Sequence, residues 1–292
     1  MRFEEIQKIS NIFSVTDSAK LKQFYLEKKS RRTRIRYKNV QIRQAYELFA
    51  NSKILSDAYY TFANLLYNSL NTRHTILDLG IGEAIMWKKV LFYIPDDAIK
   101  NLGIVGVDFS ENGLVNAKKY LSYLPLNRLK LIKSNIKKTE FEQINKSYKV
   151  DHLVSCLALH HLKYRDKIKI LKQAIKNGIN RITLIEVDYN LETIYDDRLR
   201  NYAGALLYRD VFDSIRAEIG SNDSAEILNS FYYEELLHIF NSTIRTLDER
   251  YLPLIEWKTV LESLRMKIDL IKRTYSGINN IYHIGIIDAS RT

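Results

Sequence analysis

Residues 76–84 read Ile-Leu-Asp-Leu-Gly-Ile-Gly-Glu-Ala, so that an apolar run reaches Asp78 and breaks at Gly80 and Gly82, two of only 10 glycines in 292 residues. The spacing has a chemical use. A buried strand that ends in a Gly-x-Gly turn offers bare backbone to a ligand, and the helix that follows presents unpaired N–H groups at its start. Other polar residues close later apolar runs: Asp108 with Phe109, Asn135 with Ile136, Cys156 followed by His160 and His161, and Glu186 with Asp188, Tyr189 and Asn190. An open α/β sheet binds its ligand outside the carboxyl ends of its strands. These residues therefore form one candidate crevice.

The elements that must position them follow from periodicity. From Thr75 onward short apolar runs alternate with helical stretches, the pattern of a parallel sheet covered on both faces. Strands are predicted over 75–79, 103–107, 129–132, 150–157 and 181–187, with a helix after the fourth over about 166–176. Two further strands, near 267–273 and 281–287, flank Ser276-Gly277-Ile278-Asn279-Asn280 and make a closing hairpin. The predicted fold class is α/β: a seven-stranded, mostly parallel Rossmann-like sheet with a C-terminal antiparallel hairpin and an α-helical cap. Residues 1–72 read helical, because Ala45, Leu48, Phe49, Leu55, Tyr59, Phe62, Ala63 and Leu66 recur near the helical period. Residues 192–250 are too long for an ordinary connection and carry a second stripe of Tyr195, Leu199, Tyr202 and Leu206. These two segments are expected to form the cap, and 73–191 with 251–292 the core.

Composition excludes several classes. One cysteine, Cys156, rules out an internal disulfide and fits a reducing compartment. The start of the chain has no cationic leader, and nowhere do 18 uncharged apolar residues run together, so a cytoplasmic protein without a membrane span is expected. The net charge is +11, but Lys28, Lys29, Arg31, Arg32, Arg34, Arg36 and Lys38 supply all except +4 of it. The basicity is thus one segment, read as a solvated face or linker ahead of phosphate or acidic-membrane contact.

The ligand follows from what the glycine turn lacks. A nicotinamide or flavin fingerprint wants a third glycine at the position held by Ile85. What remains, Asp78 through Gly80 and Gly82 to Ala84, resembles motif I of the class I S-adenosylmethionine-dependent methyltransferases, with Ala84 where a third glycine often sits. That resemblance implies S-adenosylmethionine as cofactor. Asp108 is then placed to accept bonds from both ribose hydroxyls, Phe109 to lie against adenine, and Asn135, beside Ile136, to accept from the adenine amino group. Cys156 would run beneath the cofactor. The Leu157-Ala158-Leu159-His160-His161-Leu162 string resembles motif IV of small-molecule methyltransferases. Amino-methyltransferases of nucleic acids and cytosine-C5 enzymes carry proline-containing loops after strand four, whereas the prolines here are Pro95, Pro125 and Pro253. A nucleic-acid acceptor is therefore not expected. His160 or His161 serves as general base, with His161 the one expected to pack, and Glu186 joins it as the second catalytic residue. Asp188, Tyr189, Tyr202 and Tyr208 are expected to face the substrate.

Later strings resemble a narrower family. Leu184-Ile185-Glu186-Val187-Asp188, then Tyr208 through Phe212-Asp213-Ser214 to Ile215, then Trp257 with Leu261 and Leu264, resemble in order segments of the GRAS-domain family. Its plant members have a degraded first motif. Gly80 and Gly82 are kept here, which resembles the bacterial, cofactor-competent branch. The resemblance implies a methyltransferase-like core under a helical cap, and hence a small-molecule acceptor with an oxygen or nitrogen nucleophile. In that arrangement Glu186, His160 and Tyr208 border one pocket, with Asp188 near its rim. The other function class is a catalytically inactive ligand-binding or regulatory protein built on the same fold.

Overall fold

The computed structural model describes residues 40–125, 127–192, 194, 197–219 and 250–291. The basic segment from Lys28 to Lys38 and Tyr195 lie outside the described residues, as do the side chains of Leu199 and Tyr202. Among the described residues the order is α1 (Val40–Asn51), α2 (Lys53–Tyr67), β1 (His74–Leu79), α3 (Ile85–Phe92), α4 (Asp96–Ile99), β2 (Leu102–Asp108) and α5 (Glu111–Tyr120). There follow β3 (Leu129–Lys133), α6 (Phe141–Tyr148), β4 (His152–Cys156), α7 (Tyr164–Lys176), β5 (Arg181–Asp188), α8 (Asp197–Ile219), α9 (Leu254–Ser263), β6 (Met266–Ser276) and β7 (His283–Arg291).

The strands form a single seven-stranded sheet in the order β3-β2-β1-β4-β5-β7-β6. The first five are parallel, and β7 inserts antiparallel between β5 and β6. This is the Rossmann-like arrangement with a closing hairpin that the strand pattern predicts. Apolar continuity explains the central strands: every residue of β2 is buried, as expected where helices cover both faces. The fourth strand starts at His152 rather than 150, because Lys149 takes a left-handed conformation at the end of α6 and the chain must turn before it can pair.

The chain divides into two compact units, one of which contains the whole sheet and runs over 53–192, 249–276 and 283–292. It begins at Lys53, so α2 belongs to it rather than to a cap ending at 72. The apolar face of α2 accounts for this. Leu55, Tyr59, Phe62 and Leu66 are buried, α2 packs against α3, β6 and β7, and the Phe62 ring meets Trp87 edge-on at 5.7 Å. At the amino ends of the strands, a polar line crosses this unit from His74 to His152 (3.2 Å) to Thr183 (2.8 Å). The Thr183 hydroxyl donates to Asp288 at 2.6 Å, and Arg181 grips the same carboxylate. Burial pushes the His152 pKa well below its ordinary value, so its ring is neutral and can both donate and accept.

The other unit comprises 1–52, 193–248 and 277–282. In it the buried Asp210 carboxylate of α8 accepts from the amides of Asn279 (2.7 Å) and Ile281 (3.0 Å). Ser214 Oγ accepts from the Ile278 amide at 3.1 Å and donates to the Asp210 carbonyl at 2.7 Å. The string from Tyr208 to Ile215 thus holds the 277–282 turn. A scaffold role of this kind needs the acid and the serine one helical turn apart.

Candidate active site

The glycine turn joins β1 to α3 in three left-handed steps, Gly80 (φ 85°), Gly82 (φ 53°) and Ala84 (φ 60°). The two glycines serve different ends. A Cβ on Gly80 would lie 2.3 Å from that of Ala158, so this residue is small because the segment after β4 presses on it. A Cβ on Gly82 would meet nothing nearer than the Gly80 carbonyl oxygen at 4.0 Å, so Gly82 is where bare backbone faces open space. Ala84, fully buried, accepts the conformation that glycine takes most easily. Between the glycines, Ile81 turns inward onto Gly106 of β2.

Two acids brace this turn. Asp78, on β1, accepts from the Trp87 indole N–H at 2.6 Å through Oδ2, while the buried Oδ1 has no hydrogen-bond partner among the described residues. Burial, assisted by the charge of Asp108, raises its pKa to about 7 against the pull of the Trp87 bond. Asp108, at the end of β2, accepts from the Gly82 amide through Oδ2 at 2.9 Å and from the Ser110 amide through Oδ1 at 2.8 Å. Each oxygen keeps a second lone pair for a ligand. Ser110 in turn caps α5 by accepting from the Gly113 amide. Phe109 is 62% exposed beside Asp108. Asn135 is exposed at the end of β3, and its Oδ1 accepts from the Lys137 amide at 2.9 Å, so one acceptor position of the expected adenine contact is already used. Ile136 lies against the Gly80 side of the turn. Ser155 ties β4 to β1 by donating to the Leu79 carbonyl at 2.9 Å. The Cys156 thiol bonds with Tyr59, and burial, then the charges of Asp78 and Glu186, push its pKa well above the usual range.

The chain leaves β4 through Leu157, another non-glycine residue with positive φ (50°), whose amide donates to the Ile185 carbonyl at 2.9 Å. That turn brings His160 onto Glu186 of β5. Glu186 Oε2 lies 3.0 Å from His160 Nδ1, and Oε1 accepts from the Leu159 amide at 3.0 Å. Both side chains are buried, and desolvation raises the Glu186 pKa to about 7 despite the Lys167 charge. The Tyr251 ring stacks on the His160 imidazole with centroids 4.5 Å apart. His160, not His161, is the packed member of the pair. The short 3₁₀ turn at 159–161 points the first histidine inward and leaves the second exposed.

Asp188 is bonded within the scaffold on both oxygens. Its Oδ1 accepts from the Leu254 amide that starts α9 (2.8 Å), and Arg273 of β6 donates to Oδ2 at 2.6 Å. These bonds give the buried carboxylate a scaffold role at the start of α9, and each oxygen keeps a second lone pair. Tyr189 is half-buried, and burial raises its phenol pKa. Tyr208 lies on α8 in the other unit, as does the backbone of Tyr202.

Lys167, Arg250 and Tyr251, which surround His160 and Glu186, were not legible as site residues. One signal was present: Lys167 falls in the buried stripe of α7 with Ile170, Leu171 and Ala174, where a lysine is out of place. Among the described residues no group of His, Cys, Asp and Glu is arranged to hold a metal ion. Gly82 presents open backbone, Asp108 keeps acceptor capacity, Asp78 Oδ1 is a buried unpartnered oxygen, and Phe109 is an exposed ring at one end.

No family model and no curated protein matches the sequence. Among solved structures, the chain is similar to magnesium protoporphyrin IX methyltransferase from Synechocystis with bound S-adenosylhomocysteine, at 11% identity over 98% of this chain and 99% of that one, with a TM-score of 0.49. It is similar to geranyl diphosphate C-methyltransferase from Streptomyces coelicolor at 10% identity over 80% and 78%, TM-score 0.46. An O-methyltransferase family protein from Burkholderia thailandensis gives 11% over 82% and 57%, TM-score 0.48. The strand order and the closing hairpin, rather than these likenesses, carry the assignment of this chain to a Rossmann-like α/β fold.

Proposed function

We propose that this protein is an S-adenosylmethionine-dependent methyltransferase acting on a small-molecule oxygen or nitrogen nucleophile. The observation that carries the reading is the set of four neighbouring strand ends in one sheet: the open Gly82 turn after β1, Asp108 locked to it from the end of β2, and the pair formed by His160 after β4 with Glu186 near the end of β5. Asp78, Gly80, Gly82, Asp108, Phe109, Asn135 and Ile136 would hold the cofactor, with Cys156 packed beneath it. When bound, S-adenosylmethionine supplies an electrophilic methyl group on a sulfonium sulfur, which keeps the bonding pair as the methyl departs.

The chain's own residues supply orientation and a proton acceptor. With Glu186 ionised, its Oε2, 3.0 Å from His160 Nδ1, would accept the N–H there, a tautomer in which Nε2 is the basic nitrogen. As the nucleophile forms its bond to carbon, its proton passes to Nε2, and the imidazolium is stabilised by Glu186. Tyr251 stacked on the ring and the Leu159 amide on Oε1 keep this geometry fixed. Placement in the bacterial GRAS-type branch is the finer part of the proposal, supported by the Tyr208 to Ile215 string and Trp257. Asp188 and Tyr189 are proposed to face the acceptor, and the cytoplasm is the proposed compartment.

Calorimetry with S-adenosylmethionine and S-adenosylhomocysteine, followed by transfer of labelled methyl to a panel of small phenols, carboxylic acids and amines, tests the reading. Binding of both, with transfer that His160→Gln abolishes, is expected. Absence of binding overturns it, and binding without transfer to any acceptor favours the regulatory protein instead.

A further inference from the structure

Lys167 has no exposed side-chain surface, yet it stands in the apolar stripe of α7 and in the second turn of that helix. Both placements are adverse. A buried ammonium costs several kcal/mol unless it is paired, roughly the worth of several good core contacts, and a cation near a helix start opposes the helix dipole. A leucine would satisfy the packing, so the charge itself requires an explanation.

Its partners give one. Lys167 Nζ donates to the Arg250 carbonyl, lies 3.5 Å from Glu192 Oε2, and sits 5.8 Å from the centre of the Trp257 ring. The Arg250 amide donates to the His160 carbonyl at 2.7 Å. The next residue, Tyr251, offers its carbonyl to the amides of Leu191 and Glu192 (3.1 and 3.2 Å) and stacks its ring on the His160 imidazole. Glu192 also accepts from the Tyr164 amide at 3.2 Å and lies 3.6 Å from the Arg250 guanidinium. The strap at 250–251 is thus pinned on one side by Lys167 and on the other by the chain leaving β5, and what it presses on is the histidine of the pair.

We propose that Lys167 is a positioning residue for the His160–Glu186 pair: it anchors the strap that holds Tyr251 against the imidazole, and its ammonium sets the potential in which the pair gains and loses its proton. The inference rests on the methyltransferase reading for its purpose, but not for its test. The charged and titratable groups facing the pair are Lys167, Glu192, Arg250, His161, Tyr251 and Cys156. Removing a cation from this set favours protonation of the pair, and removing an anion disfavours it.

The test is histidine side-chain NMR on the full chain, which has only 6 histidines. The His160 ring is assigned with His160→Gln. In Lys167→Met the titration midpoint of the His160 signal is expected to rise by about one pH unit, and the contact between the Tyr251 ring and the imidazole is expected to weaken. In Glu192→Gln, which keeps the ammonium and removes its counter-charge, the midpoint is expected to fall. A shift below about 0.2 unit in both variants, or shifts of the same sign, overturns the proposal. Should Lys167→Met not fold, the sign in Glu192→Gln decides alone. If wild-type protein binds no S-adenosylmethionine, the functional reading falls while opposite shifts still establish the positioning role.

Discussion

Asp108 Oδ2 accepts the Gly82 amide at 2.9 Å, so the carboxylate that closes the second strand and the glycine turn that closes the first move as one body. The same carboxylate reaches the Ser110 amide, at the start of α5. Any ligand that uses Asp108 therefore meets an acid whose position two backbone amides have already fixed. Asp108→Ala should weaken S-adenosylmethionine binding by about tenfold to a hundredfold and lower stability by about 1–3 kcal/mol, since both amides lose a charged acceptor. Calorimetry and urea unfolding on one preparation read both losses. Unchanged affinity alongside reduced stability would reduce Asp108 to a brace.

Ala84 tests the cost of the left-handed turn. Ala84→Gly removes a strain of about 1–2 kcal/mol and loses a buried methyl worth about 0.8 kcal/mol, so its stability should change by less than about 1 kcal/mol. Ala84→Val puts a branched side chain at positive φ in a fully buried place and should cost more than about 2 kcal/mol. Urea midpoints for the two variants check the ordering.

Asp78 gives a pH dependence with a definite sign. Its folded pKa, about 7, is above its ordinary value of 3.8, so the folded state holds the proton longer than the unfolded chain. Its contribution is neutral below about pH 4, becomes destabilising as pH rises between about 4 and 7, and levels off above, at a cost on the order of 4 kcal/mol. Asp78→Asn can keep the Trp87 bond through its carbonyl oxygen and has no proton to lose. The variant should therefore be relatively more stable than wild type at pH 8 than at pH 5, measured by chemical unfolding at both. A constant difference across that range contradicts the assignment.

The 277–282 turn hangs on Asp210. A Cβ on Gly277 would come within 2.1 Å of Asp210 Oδ2 and 2.6 Å of the Tyr282 ring. Gly277→Ala and Asp210→Ala should each destabilise by about 2–3 kcal/mol, the first by forcing the carboxylate off its amides and the second by leaving them without an acceptor. Combined, the two should cost less than their sum, because the alanine at 210 removes the nearer clash and leaves only the Tyr282 ring to shift. Additive losses would show that the clash and the hydrogen bonds are separate.

The sequence by itself determined the strand and helix rhythm, the glycine turn, the closing hairpin and the set of polar residues at the strand ends, because period and turn chemistry are local. All seven predicted strand starts fall within two residues of the observed ones, with β4 and β7 each beginning two residues later than predicted, β4 after the left-handed Lys149. What each polar residue does was decided by tertiary structure. Gly80 is small because Ala158, far along the chain, occupies its Cβ space, whereas a Cβ on Gly82, two residues on, would meet nothing nearer than 4.0 Å. Glu186 and Asp188 look alike on one strand, yet one meets a histidine and the other a helix start and an arginine from β6. His160 and His161 are identical residues in sequence, and a single 3₁₀ turn buries the first and exposes the second. A carboxylate or an imidazole takes the partner that reaches it first in a desolvated space, and those partners come from segments that no local pattern relates.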